Sequence, residues 1–405
     1  MRPRPAAAAG RPLLLAALAL LGTLGGTCQH RPAEPGATLV VRRGGTYSGT
    51  YGSSSSAVPC VRIETDEPVT LRDCVLAGAG NLIEATRGGA RLTVVNCRGY
   101  GQPQSTDNTR HGHFLEVNSA RSVRIEHNYF EHTTGISIYQ WGGDGSPGQT
   151  LTVRYNSARN LDGRYRNGGG TFCNFLGLNG LPNLASLEVA WNQVINEPNN
   201  SLVEDNINFY NSGGTRRSPA RVHDNYIQGA YPCPATSPTY SGSGITLDGD
   251  GRAALSTTAF VWAYDNQLVS TCAALNIAAG HDNRFFRNRA VSCGLLPDGS
   301  RLAAAYAAAG VWNAYHQPAT VFFNNQLADN VIGFVRWAGT TPTRQDLSPT
   351  ACQPCTGTVH LPGPITRQTE LAEWARWQQK LQRQQVQVGP PGKATRPPVA
   401  LGWQH

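Results

Sequence analysis

The sequence predicts an all-β protein, a solenoid in which short parallel strands stack coil upon coil, with a C-terminal amphipathic capping helix. Three observations predict it. One motif is written twice with nothing inserted, as Val261-Trp-Ala-Tyr-Asp-Asn266-Gln-Leu268 and Arg284-Phe-Phe-Arg-Asn288-Arg-Ala-Val291, and its asparagines are 22 positions apart. Looser copies, each a strand leading into an asparagine, end at Asn96, Asn128, Asn156, Asn192, Asn225 and Asn325. The runs between them alternate with period 2, and helical periodicity first appears after residue 360. A repeat of this length with strands and no helix is a coil that buries its apolar face only by stacking on neighbours. Equivalent strands then lie about 4.8 Å apart, so like residues stack. Asparagine suits the bend because it tolerates left-handed backbone angles and its amide can bond the amide above.

In chain order, residues 1–27 carry Arg2, Arg4 and Arg11 ahead of Leu13-Leu-Leu-Ala-Ala-Leu-Ala-Leu-Leu-Gly, the pattern of a secretory signal peptide. Cys28 follows Leu24-Gly-Gly-Thr27, which resembles a bacterial lipoprotein cleavage site with Gly25 where Leu is usual. A secreted protein and a cell-surface or periplasmic lipoprotein, held by an outer-membrane lipid anchor through Cys28, both remain open. Residues 28–37 read as a linker and 38–360 as one β-helical domain, because a solenoid lengthens without starting a second core. Residues 361–388 hold the helix: Leu371, Trp374, Trp377 and Leu381 share one face, with Thr366 or Thr369 as cap. This helix is expected to cover the open edge of the last coil. A Pro-rich tail, 389–405, is expected to be disordered.

The overall charge of +8 comes from the two ends, leaving 25 basic against 24 acidic residues in residues 28–360. Charge therefore gives no reason to expect nucleic acid. Cys74 with Cys97, and Cys272 with Cys293, are each about one coil apart, so each pair is expected to stack as buried thiols or form a disulfide. Cys352-Gln-Pro-Cys355 can close a local bridge.

Four runs, Glu204-Asp-Asn-Ile-Asn-Phe-Tyr-Asn-Ser-Gly-Gly-Thr215, Ser241-Gly-Ser-Gly-Ile-Thr-Leu-Asp-Gly-Asp-Gly251, Ala278-Ala-Gly-His-Asp-Asn283 and Gly310-Val-Trp-Asn-Ala-Tyr315, resemble the bacterial right-handed parallel β-helix repeat proteins of the pectin-lyase-like superfamily. The resemblance implies a right-handed parallel β-helix over about three quarters of the chain. For activity it implies only a range, from polysaccharide lyases and glycoside hydrolases to proteins without chemistry. Several of those lyases use a lysine base, whereas Lys380 and Lys393 fall outside the coils. Polygalacturonases carry Asn-Thr-Asp, Asp-Asp, Gly-His-Gly and Arg-Ile-Lys in order. This chain offers Glu204-Asp205-Asn206, Asp248-Gly-Asp250 and Gly280-His281-Asp282, without the adjacent Asp pair or any Arg-Ile-Lys.

The pleat gives a site independently. With Leu115/Val117, Ile136/Ile138, Ile207/Phe209, Ile245/Leu247 and Leu275/Ile277 pointing inward, Glu116, Asn118, Tyr139, Asn208, Tyr210, Thr246, Asp248 and Asn276 point outward on one wall. Trp312 and Tyr315 extend that wall, and Trp141, Asp205, Asp250 and His281 flank it. Rings to stack on sugars, amides and carboxylates for hydroxyls, and a possible acid/base pair fit a polysaccharide partner bound by a monomer. The candidate catalytic residues are Asp205, Asp248, Asp250 and His281. Glu116, Asn118, Tyr139, Trp141, Asn208, Tyr210, Asn276, Trp312 and Tyr315 are the candidate substrate-binding residues. Ca2+ on Asp205, Asp248 and Asp250 is a conceivable cofactor. A non-catalytic glycan-binding or structural cell-surface protein is the alternative.

Overall fold

A computed structural model describes residues 37–348 and 355–392. They fall within the compact unit Pro32–His405. The expected signal peptide, Cys28, Cys352, Lys393 and the tail beyond 392 lie outside the described residues. From Leu39–Val41 to Val359–His360 the chain winds through three sheets of 10, 11 and 12 strands. Successive strands enter the sheets in rotation, and each pairs in parallel with its counterpart one coil away. The result is a right-handed parallel β-helix, the hand that twisted strands permit for a parallel return. Among the described strands, only Val331–Ala338 and Thr341–Arg344 pair antiparallel, closing the end of the third sheet.

The alternation places the expected residues inside. Ile207, Ile245 and Leu275 are paired in direct register, as are Phe209, Leu247 and Ile277, and all six are buried. Phe114, Phe130 and Phe175 stack along the axis with ring centroids 4.4 and 5.8 Å apart.

The tight corner between the second and third sheets carries the asparagine ladder. Asn128, Asn156, Asn192, Asn225, Asn266, Asn288 and Asn330 are buried, each Nδ2 donating to the next Oδ1 at 2.8–3.0 Å. The left-handed residue is the one before each asparagine, for example Tyr155, Trp191, Asp265 and Arg287, with φ between 53° and 60°. Of the two expected reasons, the amide ladder holds and the left-handed backbone falls to the preceding residue, so asparagine is selected here for its side chain. Two assignments change with this. Asn96 is itself a left-handed residue (φ 58°) and Cys97 takes the ladder position, its N–H donating to Asn128 Oδ1 at 2.8 Å. Asn325 belongs to a second ladder, accepting from Asn283 Nδ2 at 3.0 Å.

Cys74 and Cys97 are free, buried and hydrogen-bonded to each other. Cys272 and Cys293 are also free but do not form a stack. Val269 pairs with Val291, which offsets the two by one residue and so by one face. Cys272 joins the interior core, and Cys293 packs outside it with Val335 and Ile365. Cys355 is disulfide-bonded.

The helix spans Arg367–Gln384, capped by Thr366 with Thr369 closing the box. It does not cover the last coil's open edge. It lies along the outer face of the third sheet, where Ile195, Tyr226 and Val269 form an apolar strip that needs cover. Trp377 is fully buried there, its ring 5.8 Å from that of Tyr226 and its Nε1 donating to Gln193 Oε1 at 2.9 Å. Glu373 accepts two bonds from Arg289, at 2.6 and 2.8 Å, and Glu370 accepts from Ser270 Oγ and Cys293 N. The chain beyond it stays attached at Gly389, whose N–H reaches Tyr155 O at 2.7 Å, and at Pro391, whose carbonyl accepts from Arg98 Nη2 at 3.2 Å. Among the described residues no helix is long and apolar enough to cross a membrane.

Candidate functional site

The outer face of the first sheet carries two straight rows. In one, Glu116, Ser137, Gly177, Asn208, Thr246 and Asn276 are successive register partners. In the other, Asn118, Tyr139, Asn179, Tyr210 and Asp248 follow one another. Positions up to about 160 apart in sequence thus share one wall, because the pleat keeps every second side chain outward through each coil.

At the later coils, loops inserted between strands rise beside this wall and enclose a cleft of about 950 Å3. Asp205, Asp248, Asn276 and Trp312 line it, together with Glu204, Thr246, Phe172, Tyr240 and Tyr306. The loop that ends at Gly242 passes so close to Glu204 that a Cβ on Gly242 would sit 0.8 Å from the Glu204 carbonyl oxygen. Only glycine permits that approach.

Asp205, Asp248 and Glu204 form the polar floor. Asp205 is buried, and its Oδ1 accepts from Ser243 N at 2.9 Å, Ser243 Oγ at 2.7 Å and Thr246 Oγ1 at 2.9 Å. Asn208 Nδ2 donates to both Asp205 Oδ2, at 3.1 Å, and Asp248 Oδ2, at 2.7 Å, clamping the two carboxyls around one nitrogen. Tyr315 also hydrogen-bonds Asp248, and its ring meets that of Tyr210 edge-on at 6.2 Å. Burial, and then repulsion by Asp205, push Asp248 up to about 7 against the pull of Asn208 and Tyr315. Glu204 is pushed up to about 8 by burial and by both aspartates, with Asn174 acting against the shift. Burial likewise raises Asp205, despite its donors. Crowding in a desolvated floor thus moves the proton loss of Glu204 and Asp248 up to the neutral range.

Around this floor, Phe172 is 75% exposed and Tyr306 44%. Tyr240 exposes its surface as a residue, yet its hydroxyl is desolvated beside Asp205 and titrates well above the usual phenol range. Asn276 Nδ2 is 3.5 Å from that hydroxyl.

Other candidates lie elsewhere. Asp250 is exposed and accepts from Asn211 Nδ2 at 2.7 Å, which holds its carboxyl below the usual range. His281 is buried at the corner between the first and second sheets, its ring stacked on Phe323 at 4.7 Å and edge-on to Phe260. Its Nδ1 lies 2.8 Å from Asp282 Oδ2 and its Nε2 3.0 Å from Ala254 O, so neither nitrogen is available to a substrate. Glu116 sits in an earlier coil and accepts from Asn81 Nδ2 at 2.6 Å. Asn118 and Tyr139 are on the same wall upstream of the cleft, and Trp141 lines a smaller depression with Asp144 and Asn183. Asp205, Asp248 and Asp250 do not converge as a Ca2+ site would require. Among the described residues no three His, Cys, Asp or Glu side chains are placed to hold a metal ion. Lys380 is bound to Asp224 at 2.6 Å on the helix flank.

Sequence reasoning gave no role to Glu204, Phe172, Tyr240 or Tyr306. The adjacent acids Glu204-Asp205 were a usable signal, because neighbouring side chains at the entry to a strand point to opposite faces, so one carboxyl of the two is carried inward. The aromatics stand in inserted loops, to which strand periodicity assigns no direction.

The coils and their cleft define a parallel β-helix protein, the architecture that the sequence resemblance implied. No family model matches the chain, and no curated protein matches it. Among solved structures, it is similar to one described as a mannuronic acid specific polysaccharide family 6 lyase enzyme from human gut microbiota, at 14% identity over 90% of this chain and 92% of the other, with a TM-score of 0.38.

Proposed function

We propose that this protein is an exported carbohydrate-active enzyme that cleaves a polysaccharide in the cleft above Asp205. One observation carries the reading: Glu204 and Asp248, held up to about 8 and about 7, face a cleft lined by exposed aromatic rings. Glycan cleavage needs one carboxyl that still holds its proton and another that has lost it, and crowding separates these two. Glu204 serves as the acid toward the leaving oxygen. Asp248 ionises first and serves as the base, positioned by Asn208, while Asp205 lies behind it as a fixed, satisfied acceptor. Phe172, Tyr306 and Trp312 present faces to sugar rings. Export rests on the N-terminal arginine-flanked apolar run.

The same rings would serve a non-catalytic glycan-binding protein, and one variant separates the two readings. Asp248→Asn keeps the shape and an acceptor for Asn208. It is expected to lower kcat by about 10²–10⁴-fold, the usual weight of a general base, while the circular dichroism spectrum is unchanged. Full activity in this variant removes Asp248 from the chemistry. Glycan retention by wild type without release of reducing ends supports the binder.

A further inference from the structure

We infer that the cleft is built for an uncharged glycan, so that the reaction is hydrolysis of a neutral polysaccharide and not elimination at a uronate. This rests on the reading of the cleft as a glycan-cleaving site. Among the described residues, none that line the cleft is Lys or Arg, while its floor holds Glu204, Asp205 and Asp248. Arg164, the cation that Cys233 of the cleft lining feels, is neutralised by Asp162, to which it donates two bonds at 2.8 and 2.7 Å, and it donates a third to Asn199 O. A uronate carboxylate entering here is desolvated beside carboxyls that already repel one another's charge, and no cation of the lining compensates it. The remaining lining, Thr171, Ser237, Thr239 and Asn276 with the rings of Phe172 and Trp312, offers what an uncharged sugar uses, hydroxyl and amide partners and faces for its C–H surface.

Elimination also needs a cationic group to neutralise the uronate, and among the described residues no Lys, Arg or His lines the cleft. Lys380 and His281 are each engaged away from the cleft. Hydrolysis needs only the carboxyls present. The glycosidic C–O bond breaks as the leaving oxygen takes the Glu204 proton. Water bonds to the anomeric carbon and gives its proton to Asp248, so one water is added and nothing is oxidised or reduced.

Matched substrate pairs test this. The full-length protein is incubated with polygalacturonate and alginate, with the carboxyl-reduced form of each, and with xylan, mannan and β-glucan. New reducing ends, ultraviolet absorbance of unsaturated products, and retardation in affinity gels are recorded. The expected result is cleavage of a neutral polymer about tenfold or more faster than of any charged one, without unsaturated products, and lost in Asp248→Asn. Unsaturated products, or faster cleavage of a charged polymer, overturn the neutral-glycan inference and leave the glycan-cleaving reading intact. Retardation by neutral polymers without cleavage does the reverse. Neither cleavage nor retardation by any polymer removes both.

Discussion

Asp248 and Asp205 share the amide of Asn208, and their closeness to Glu204 fixes when each carboxyl gives up its proton. Two consequences follow from Glu204 at about 8 and Asp248 at about 7. The rate of glycan cleavage should fall above about pH 8 as Glu204 loses its proton, which a pH–rate profile reads directly. Stability should change in the same window. The folded state holds protons that the unfolded chain releases near the ordinary carboxylate range, so the contribution of these groups is fully present below that range. It is lost as pH rises through about 8. Glu204→Gln should therefore raise Tm at pH 8 and leave it nearly unchanged at pH 4, and the opposite ordering in thermal melts would show that Glu204 is not desolvated. The ladder makes a second residue-scale prediction. Asn266→Ala leaves the buried Asn225 amide and the Asn288 oxygen short of partners, and should cost about 1–3 kcal/mol in denaturant unfolding.

The C-terminal helix was legible as an amphipathic segment, and its cap residue lies where the sequence placed it. Its docking position was not legible. Leu381 and Trp377 announce that one face must be buried, but any exposed apolar strip could bury it. Ile195, Tyr226 and Val269 settle the choice, three residues that become neighbours only after three coils have stacked. Glu370 and Glu373 then find Ser270, Cys293 N–H and Arg289 at that place. Trp377→Ala should release the helix at a cost of about 3–5 kcal/mol, seen as fast amide exchange over 367–384 and early proteolysis there. Unchanged protection would mean that the acid contacts hold it alone.

Across the whole molecule, each coil contacts chiefly its two neighbours, so stability accumulates coil by coil. Deleting residues 267–288 joins Asn266 to Arg289, the register partner of Gln267, and removes one bare coil without shifting a face. The shortened protein should stay folded, with a β-sheet circular dichroism spectrum and a lower Tm. Loss of all cooperative unfolding would show that the coils are not interchangeable units. Activity should disappear, because Asn276 leaves with that coil and the loops that wall the cleft no longer meet their floor.

By itself the sequence determined the coil, its bare length of 22 residues, which residues face the core and which share the outer wall, since all of these follow from period 2 and a strand-by-strand repeat. Tertiary structure alone decided which stretch of that wall became a cleft. Depth comes from inserted loops, and an insertion obeys no period. It also decided that Glu204 joined the floor and His281 did not, because desolvation and hydrogen-bond partners exist only once distant coils are in contact.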